Sequence, residues 1–223
     1  MNKPIEILIT SDFICPWCFV AERRLKQAAA DEGINIFMRF RPFELNPDMP
    51  KEGISRKTYR SSKFGSWERS MQLDQGTIEA SADDPLVFNY KAIEYTPNTR
   101  MAHRLVWYVQ QYAPRLEEAV ADAIFESYFS QGIHIGDAHA LAKIAHGLGL
   151  EARSVVEFLV GHEGENEVIA QENKAIHNEM HVVPYIRILD EELYGAQSAS
   201  SMRSALRKAQ AHQNQSATEM EDK

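Results

Sequence analysis

Residues 5–19 read Ile5-Glu6-Ile7-Leu8-Ile9-Thr10-Ser11-Asp12-Phe13-Ile14-Cys15-Pro16-Trp17-Cys18-Phe19, and this stretch decides the fold. Its first seven residues are mostly β-branched or apolar, the pattern of a strand buried on both faces. Pro16 suits the first position of a helix, where its missing N–H would have had no intrahelical partner. Residues 19–32 are strong helix formers with Val20, Leu25, Ala28 and Ala29 on an apolar side, and Gly33 is placed to end the helix. Ile34, Ile36, Met38 and Phe40 then alternate with Asn35, Phe37, Arg39 and Arg41, the period of a second strand. Residues 5–42 therefore form one β-α-β unit whose helix opens on a Cys-x-x-Cys.

Working outward, strand character stops at the proline punctuation of residues 42–50. Residues 45–164 read as mainly helical, with no clear strand. Thr96-Pro97-Asn98-Thr99 looks like a helix start before an apolar-periodic run from Met101 to Tyr112, which Pro114 breaks. Helices follow at residues 116–128, 137–147 and 154–161. The chain then returns to a helix over residues 166–180 and a strand over 182–188 with Pro184 at its entry. Asp190-Glu191 gives a turn into a short strand at 192–194, and Ser198 caps a last helix to Gln210. The expected order is β-α-β, helical insert, α-β-β-α. Residues 1–44 and 165–211 would form one α/β domain around an inserted helical domain at 45–164, with a polar, fraying tail at 212–223.

Composition narrows the function. Among 223 residues, 32 acidic against 24 basic side chains give a net charge of -8, with none of the basic stripe a nucleic-acid binder needs. A hydrophobic fraction of 44% and 25% charged residues fit a folded globular chain. Glu6 interrupts an apolar run already too short for a signal peptide, and no stretch approaches the roughly 20 apolar residues of a membrane helix. The expectation is a cytoplasmic protein without membrane or nucleic-acid partners. Two cysteines make no disulfide framework in such a chain, so they need another reason.

Cys15 and Cys18 stand three residues apart on one helical turn and can close a disulfide with little backbone change. The unpaired N–H groups of a helix N-terminus favour negative charge on Cys15, so a usable thiolate exists near neutrality. Cys18 lies a turn deeper. Cys15 is then the attacking sulfur, and Cys18 resolves the mixed disulfide formed on it. A zinc site needs a second pair that the chain lacks, and Phe19 excludes the haem-attachment pattern. His177 and His181, and the looser group His134, His139 and His146, read as surface histidines rather than metal ligands, so no metal site is expected.

The Cys-Pro-Trp-Cys after a first strand, the helical insertion and the Val183-Pro184 before a late hairpin resemble the DsbA family of thioredoxin-fold oxidoreductases. Pro42-Phe43-Glu44-Leu45-Asn46-Pro47 and Tyr194-Gly195-Ala196-Gln197-Ser198 resemble its FrnE-type subgroup more specifically. The resemblance covers residues 5 to about 208 and implies a central mixed β-sheet. It also implies a cis-proline at Pro184 facing the dithiol, with Val183 offering its backbone to a substrate. Trp17 would add a flat contact surface. The implied reaction is thiol-disulfide exchange on a protein or a small thiol or disulfide. It needs no cofactor beyond the Cys15–Cys18 pair, with glutathione as a candidate reductant, and the sequence leaves the oligomeric state open.

Two departures stand out. The family's best-known oxidant has histidine between its cysteines where this chain has Trp17, so its oxidising power is not carried over. Glycines common before the Val-Pro are replaced by Glu179, Met180, His181 and Val182. Relatives resembling kappa-class glutathione transferases and 2-hydroxychromene-2-carboxylate isomerases set the alternative. They use serine where Cys15 stands and a Ser-Asp pair where Ala196-Gln197 stand, and Gln197 offers no charge to a glutathione ammonium. On the helix near residue 100, Asn98, Arg100, His103, Arg104 and Trp107 share a face, read as core around Trp107, Leu105 and Tyr108 with solvated arginines.

Overall fold

The computed structural model describes residues 3–177 and 182–221. Strand β1 (Ile5–Ser11) leads through α1 (Pro16–Glu32) to β2 (Ile36–Pro42), which pairs in parallel with β1 from Ile5↔Ile36 to Ser11↔Pro42. Gly33 ends α1 in the left-handed conformation (φ 63°), which costs a residue without Cβ nothing. The chain then builds β3 (Ile54–Ser55), α2 (Arg56–Phe64), α3 (Trp67–Ala80), β4 (Tyr95–Thr96), α4 (Arg100–Tyr112), α5 (Glu117–Phe129), α6 (Ala138–Gly147), α7 (Ala152–Val160) and α8 (Glu165–His177). It returns as β5 (Tyr185–Ile188), β6 (Glu191–Tyr194) and α9 (Ala199–Glu221). β5 runs antiparallel to β1 and β6 antiparallel to β5, so the mixed sheet has the order β2-β1-β5-β6.

α9 packs on α1, and α5 and α8 pack on β2. One apolar core runs without a break from the sheet into the insert. Its hinge is aromatic: Phe19 of α1 stacks on Phe125 and Phe129 of α5 at centroid distances of 5.6 and 5.7 Å, and Phe13 meets Phe125 at 4.9 Å. Each fully buried ring contributes roughly 2–3 kcal/mol of transfer free energy. β2 is an edge, and α5 covers it. Glu118 Oε1 accepts the Met38 N–H at 2.5 Å and Glu117 Oε1 the Phe40 N–H at 2.7 Å, which blocks pairing with another chain.

The structure departs from the sequence reading in six places, the first at β5, which starts at Tyr185 rather than 182, after Pro184, which has no N–H to give a ladder. β1 is buried on both faces only near its C-terminal end, since Glu6 is exposed and Leu8 half-buried. The insert contains the antiparallel pair β3–β4, whose two-residue strands carry no readable period. α7 begins at Ala152 rather than 154 because the Glu151 carboxylate caps the N–H groups of Arg153 and Ser154 at 2.9 and 2.7 Å. The β5–β6 turn falls on Leu189-Asp190, with Leu189 at φ 52°. Finally α9 continues past Gln210 to Glu221, because its polar residues favour a helix even without an apolar stripe, and Gln213 is tied to the Lys3 carbonyl at 3.0 Å.

Candidate active site

Residues 12–18 form a tight turn from the end of β1 into α1. The Cys15 N–H donates to the Asp12 carbonyl and the Cys18 N–H to the Cys15 carbonyl, each at 3.0 Å. Cys15 is the residue that opens α1, in extended conformation (φ -88°, ψ 111°), with Pro16 following. Both cysteines are free thiols, 5% and 1% exposed. Burial pushes the Cys18 thiol well above its ordinary value, and the hydrogen bond and charge of Cys15 push the same way against a backbone hydrogen bond from Asp12. Cys18 is therefore held as a thiol at neutral pH, and Cys15 carries the approachable sulfur.

The Val183–Pro184 peptide is cis, and the Val183 carbonyl accepts the Cys15 thiol at 3.9 Å. Trp17 is 39% exposed beside them. Glu179, Met180 and His181 lie outside the described residues.

Cys15 and Trp17 also border a space that was not expected from the sequence. A cavity of about 490 Å³ opens there, walled by α2 and α3 and floored by Tyr90, Thr96, Tyr128 and Phe129. Arg56 and Arg60 grip the two oxygens of Asp74 at 2.7 and 2.8 Å. Arg56 also stacks over Trp67 and Tyr90. Lys63 Nζ donates to the Tyr59 hydroxyl at 2.8 Å and to Asn46 Oδ1 at 3.3 Å, and Tyr59 donates to the same Asn46 oxygen. The sequence signal was the spacing of Arg56, Arg60 and Lys63, which puts three cations on one helix face.

Asp12 was also missed, although an acid closing a buried strand just before a Cys-x-x-Cys is visible in the sequence. It is fully buried, accepts the Leu45 N–H at 2.6 Å and the Ile14 N–H at 3.3 Å, and faces His103 Nε2 at 3.8 Å. Behind it, Arg100 donates to Glu44 at 2.7 Å, and the Glu44 N–H donates to Glu172 at 2.6 Å. Burial raises the Glu44 carboxyl despite Arg100.

The shared face at residues 98–107 is structural, yet Arg104 is not solvated and Arg100, a quarter exposed, is paired with Glu44. Arg104 is 4% exposed and donates to the carbonyls of Phe158, Leu159, Gly161 and Glu163 at 2.8–2.9 Å. Trp107 stacks on Phe158 at 6.0 Å. His134, His146 and His177 bond to the backbone carbonyls of Glu52, Leu150 and Asn173. Among the described residues no three His, Cys, Asp or Glu side chains are grouped to hold a metal ion, and no helix is long and apolar enough to cross a membrane.

A mixed sheet with a dithiol at the first helix and a cis X-Pro across from it defines a thioredoxin-fold protein. The chain belongs to the DSBA-like thioredoxin domain family, whose model matches residues 6–207. It is similar to the uncharacterized protein YwbO of Bacillus subtilis, with 25% identity over 67% of this chain and 69% of that one. The crystal structure of a probable DsbA oxidoreductase, SCO1869 from Streptomyces coelicolor, superposes with a TM-score of 0.81 at 26% identity, over 93% of this chain and 90% of that one. A 2-hydroxychromene-2-carboxylate isomerase shares the fold over 98% of both chains, with a TM-score of 0.62 at 20% identity.

Proposed function

We propose that this protein is a dithiol-disulfide oxidoreductase of the FrnE type that works through Cys15 and Cys18. The observation that carries the reading is the asymmetry of the pair: Cys15 opens α1 beside the Val183 carbonyl, while Cys18 is buried and held as a thiol. The Cys15 thiolate attacks one sulfur of a substrate disulfide and expels the other as a thiolate. Cys18 then loses its proton to solvent or the leaving thiolate and attacks the Cys15 sulfur, releasing the second thiol and closing the Cys15–Cys18 disulfide. A low-molecular-weight thiol such as glutathione, or a protein dithiol, returns the pair to the reduced state. Val183 and Pro184 hold the substrate beside the sulfur, and Trp17 lends a ring face to it.

The glutathione-dependent isomerase reading draws on the shared fold, and two features oppose it. Cys15 would form a mixed disulfide with glutathione where serine would hold its thiolate. The Gln197 side chain is folded back onto the Tyr194 carbonyl at 2.5 Å, and it has no charge for an ammonium group. The test is Cys15→Ser, assayed for reduction of insulin and of small disulfides with glutathione as reductant. Loss of turnover on every disulfide is expected. Retained turnover, or isomerisation of an aromatic substrate by the serine variant, would overturn the dithiol assignment.

A further inference from the structure

We propose that the cavity beside Cys15 selects a small disulfide in which the half attacked by Cys15 is a flat, apolar group bearing a carboxylate. The inference rests on the dithiol reading and names its substrate class. Cys15 is 5% exposed and lines a cavity of about 490 Å³, within the size range of small-molecule sites. The cavity opens directly onto the sulfur between α2, α3 and the dithiol turn, so the half of a small disulfide attacked by Cys15 can lie inside it. A single aromatic thiol half fits it.

The lining states the chemistry. Rings of Tyr59, Phe64, Tyr90 and Phe129 supply flat apolar walls. Arg56, Arg60 and Lys63 against Asp74 leave the walls with a net charge of +2, in a chain whose total is -8. Lys63 at the mouth pairs with a phenol and an amide, and with no carboxylate among the described residues. On the floor, the Tyr90 hydroxyl is buried beside Thr77 without a well-formed hydrogen bond. Thr77 Oγ1 already donates to the Leu73 carbonyl at 2.9 Å, so the phenol keeps its proton for an acceptor in the cavity. The electron balance is that of the mechanism above: the substrate disulfide is reduced to two thiols, the Cys15–Cys18 dithiol is oxidised, and an external thiol such as glutathione restores it.

The test compares dithiobis(nitrobenzoate), a carboxylated aromatic disulfide, with the uncharged dithiodipyridine and with insulin, each mixed by stopped flow with pre-reduced full-length protein and no free thiol, so that the single-turnover rate at varied disulfide gives kcat/KM. Lys63 is exposed, so Lys63→Glu and Lys63→Gln leave the core intact. Lys63→Glu should lower the ratio of kcat/KM for dithiobis(nitrobenzoate) over dithiodipyridine by about tenfold, through KM, with Lys63→Gln between parent and Glu. Equal changes on the two small disulfides, or a parent that prefers insulin to both, would overturn the inference while leaving the dithiol reading intact. If Cys15→Ser retains the activity of the parent, the underlying reading falls instead.

Discussion

Asp74→Asn puts the cavity wall under a test of both stability and charge. The carboxylate accepts Arg56 on one oxygen and Arg60 on the other, with side-chain exposures of 4% for Arg56, 18% for Arg60 and 10% for Asp74. An amide keeps one acceptor and turns an NH₂ toward the other guanidinium, so two cations share one wall without a counter-ion. Breaking a fully buried pair costs about 3–5 kcal/mol, and the partial exposure of Arg60 places this case at roughly 2–3 kcal/mol. At about 2–4 °C per kcal/mol for a chain of this size, Tm should fall by roughly 4–12 °C. The cost is electrostatic, so phosphate should raise the Tm of the variant more than that of the parent, by standing in for the lost carboxylate. KM for a carboxylated aromatic disulfide should fall as well, so affinity for it rises while stability drops, because the walls gain one positive charge. Circular-dichroism melts with and without phosphate, and steady-state kinetics on the same preparation, read all three. An unchanged Tm would refute the wall ion pair, and a KM that rises would refute the role of its cations.

Three further outcomes are expected. Because burial raises Cys18, release of a mixed disulfide from Cys15 should quicken by about tenfold per pH unit above neutrality, until the raised value is reached. A thiol raised by folding stabilises the fold below its unfolded value and loses that contribution as pH rises through the folded one, so the reduced protein should lose stability in alkali relative to the oxidised one. Stopped-flow release rates and paired urea melts at neutral and alkaline pH check this, and flat rates would contradict it. Glu117→Ala strips the Phe40 N–H and the Gln110 amide of their acceptor, each at 2.7 Å, and Arg39 of its partner at 3.0 Å. The expected loss is roughly 2–4 kcal/mol, with aggregation on heating as the β2 edge opens, and an unshifted urea midpoint would contradict it.

The β-α-β unit was legible because its signals are local: the apolar run of β1, proline and glycine at the ends of α1, and alternation in β2. The dithiol was legible because two cysteines in such a chain admit few uses. The cavity was not. Arg56, Arg60 and Lys63 on one helix face read equally well as a solvated stripe, and what decides between the two is Asp74 on α3, supplied by a different helix. Arg104 shows the same limit, since its burial depends on carbonyls some 55 residues later in the chain. A charged side chain announces its charge in the sequence and its partners only in the fold.

Those partners also tie the start of the insert to the turn that carries the dithiol. Asp12 follows β1, and its buried carboxylate accepts the Leu45 N–H at 2.6 Å, while the Phe43 N–H reaches back to the Ser11 carbonyl at 3.1 Å. These two bonds fix the start of the 43–50 segment against the turn that carries Cys15. The next residue, Asn46, accepts Tyr59 and Lys63 of α2, so the cavity wall hangs from the same few residues. An unpaired buried carboxylate or N–H costs about 1–3 kcal/mol or more, which makes slippage between wall and sulfur unfavourable. The geometry at Cys15 is therefore set jointly by β1 and α2. A substitution at Asn46 should alter substrate selection before it alters the reactivity of the dithiol itself, whereas one at Asp12, whose charge also acts on Cys18, should alter both.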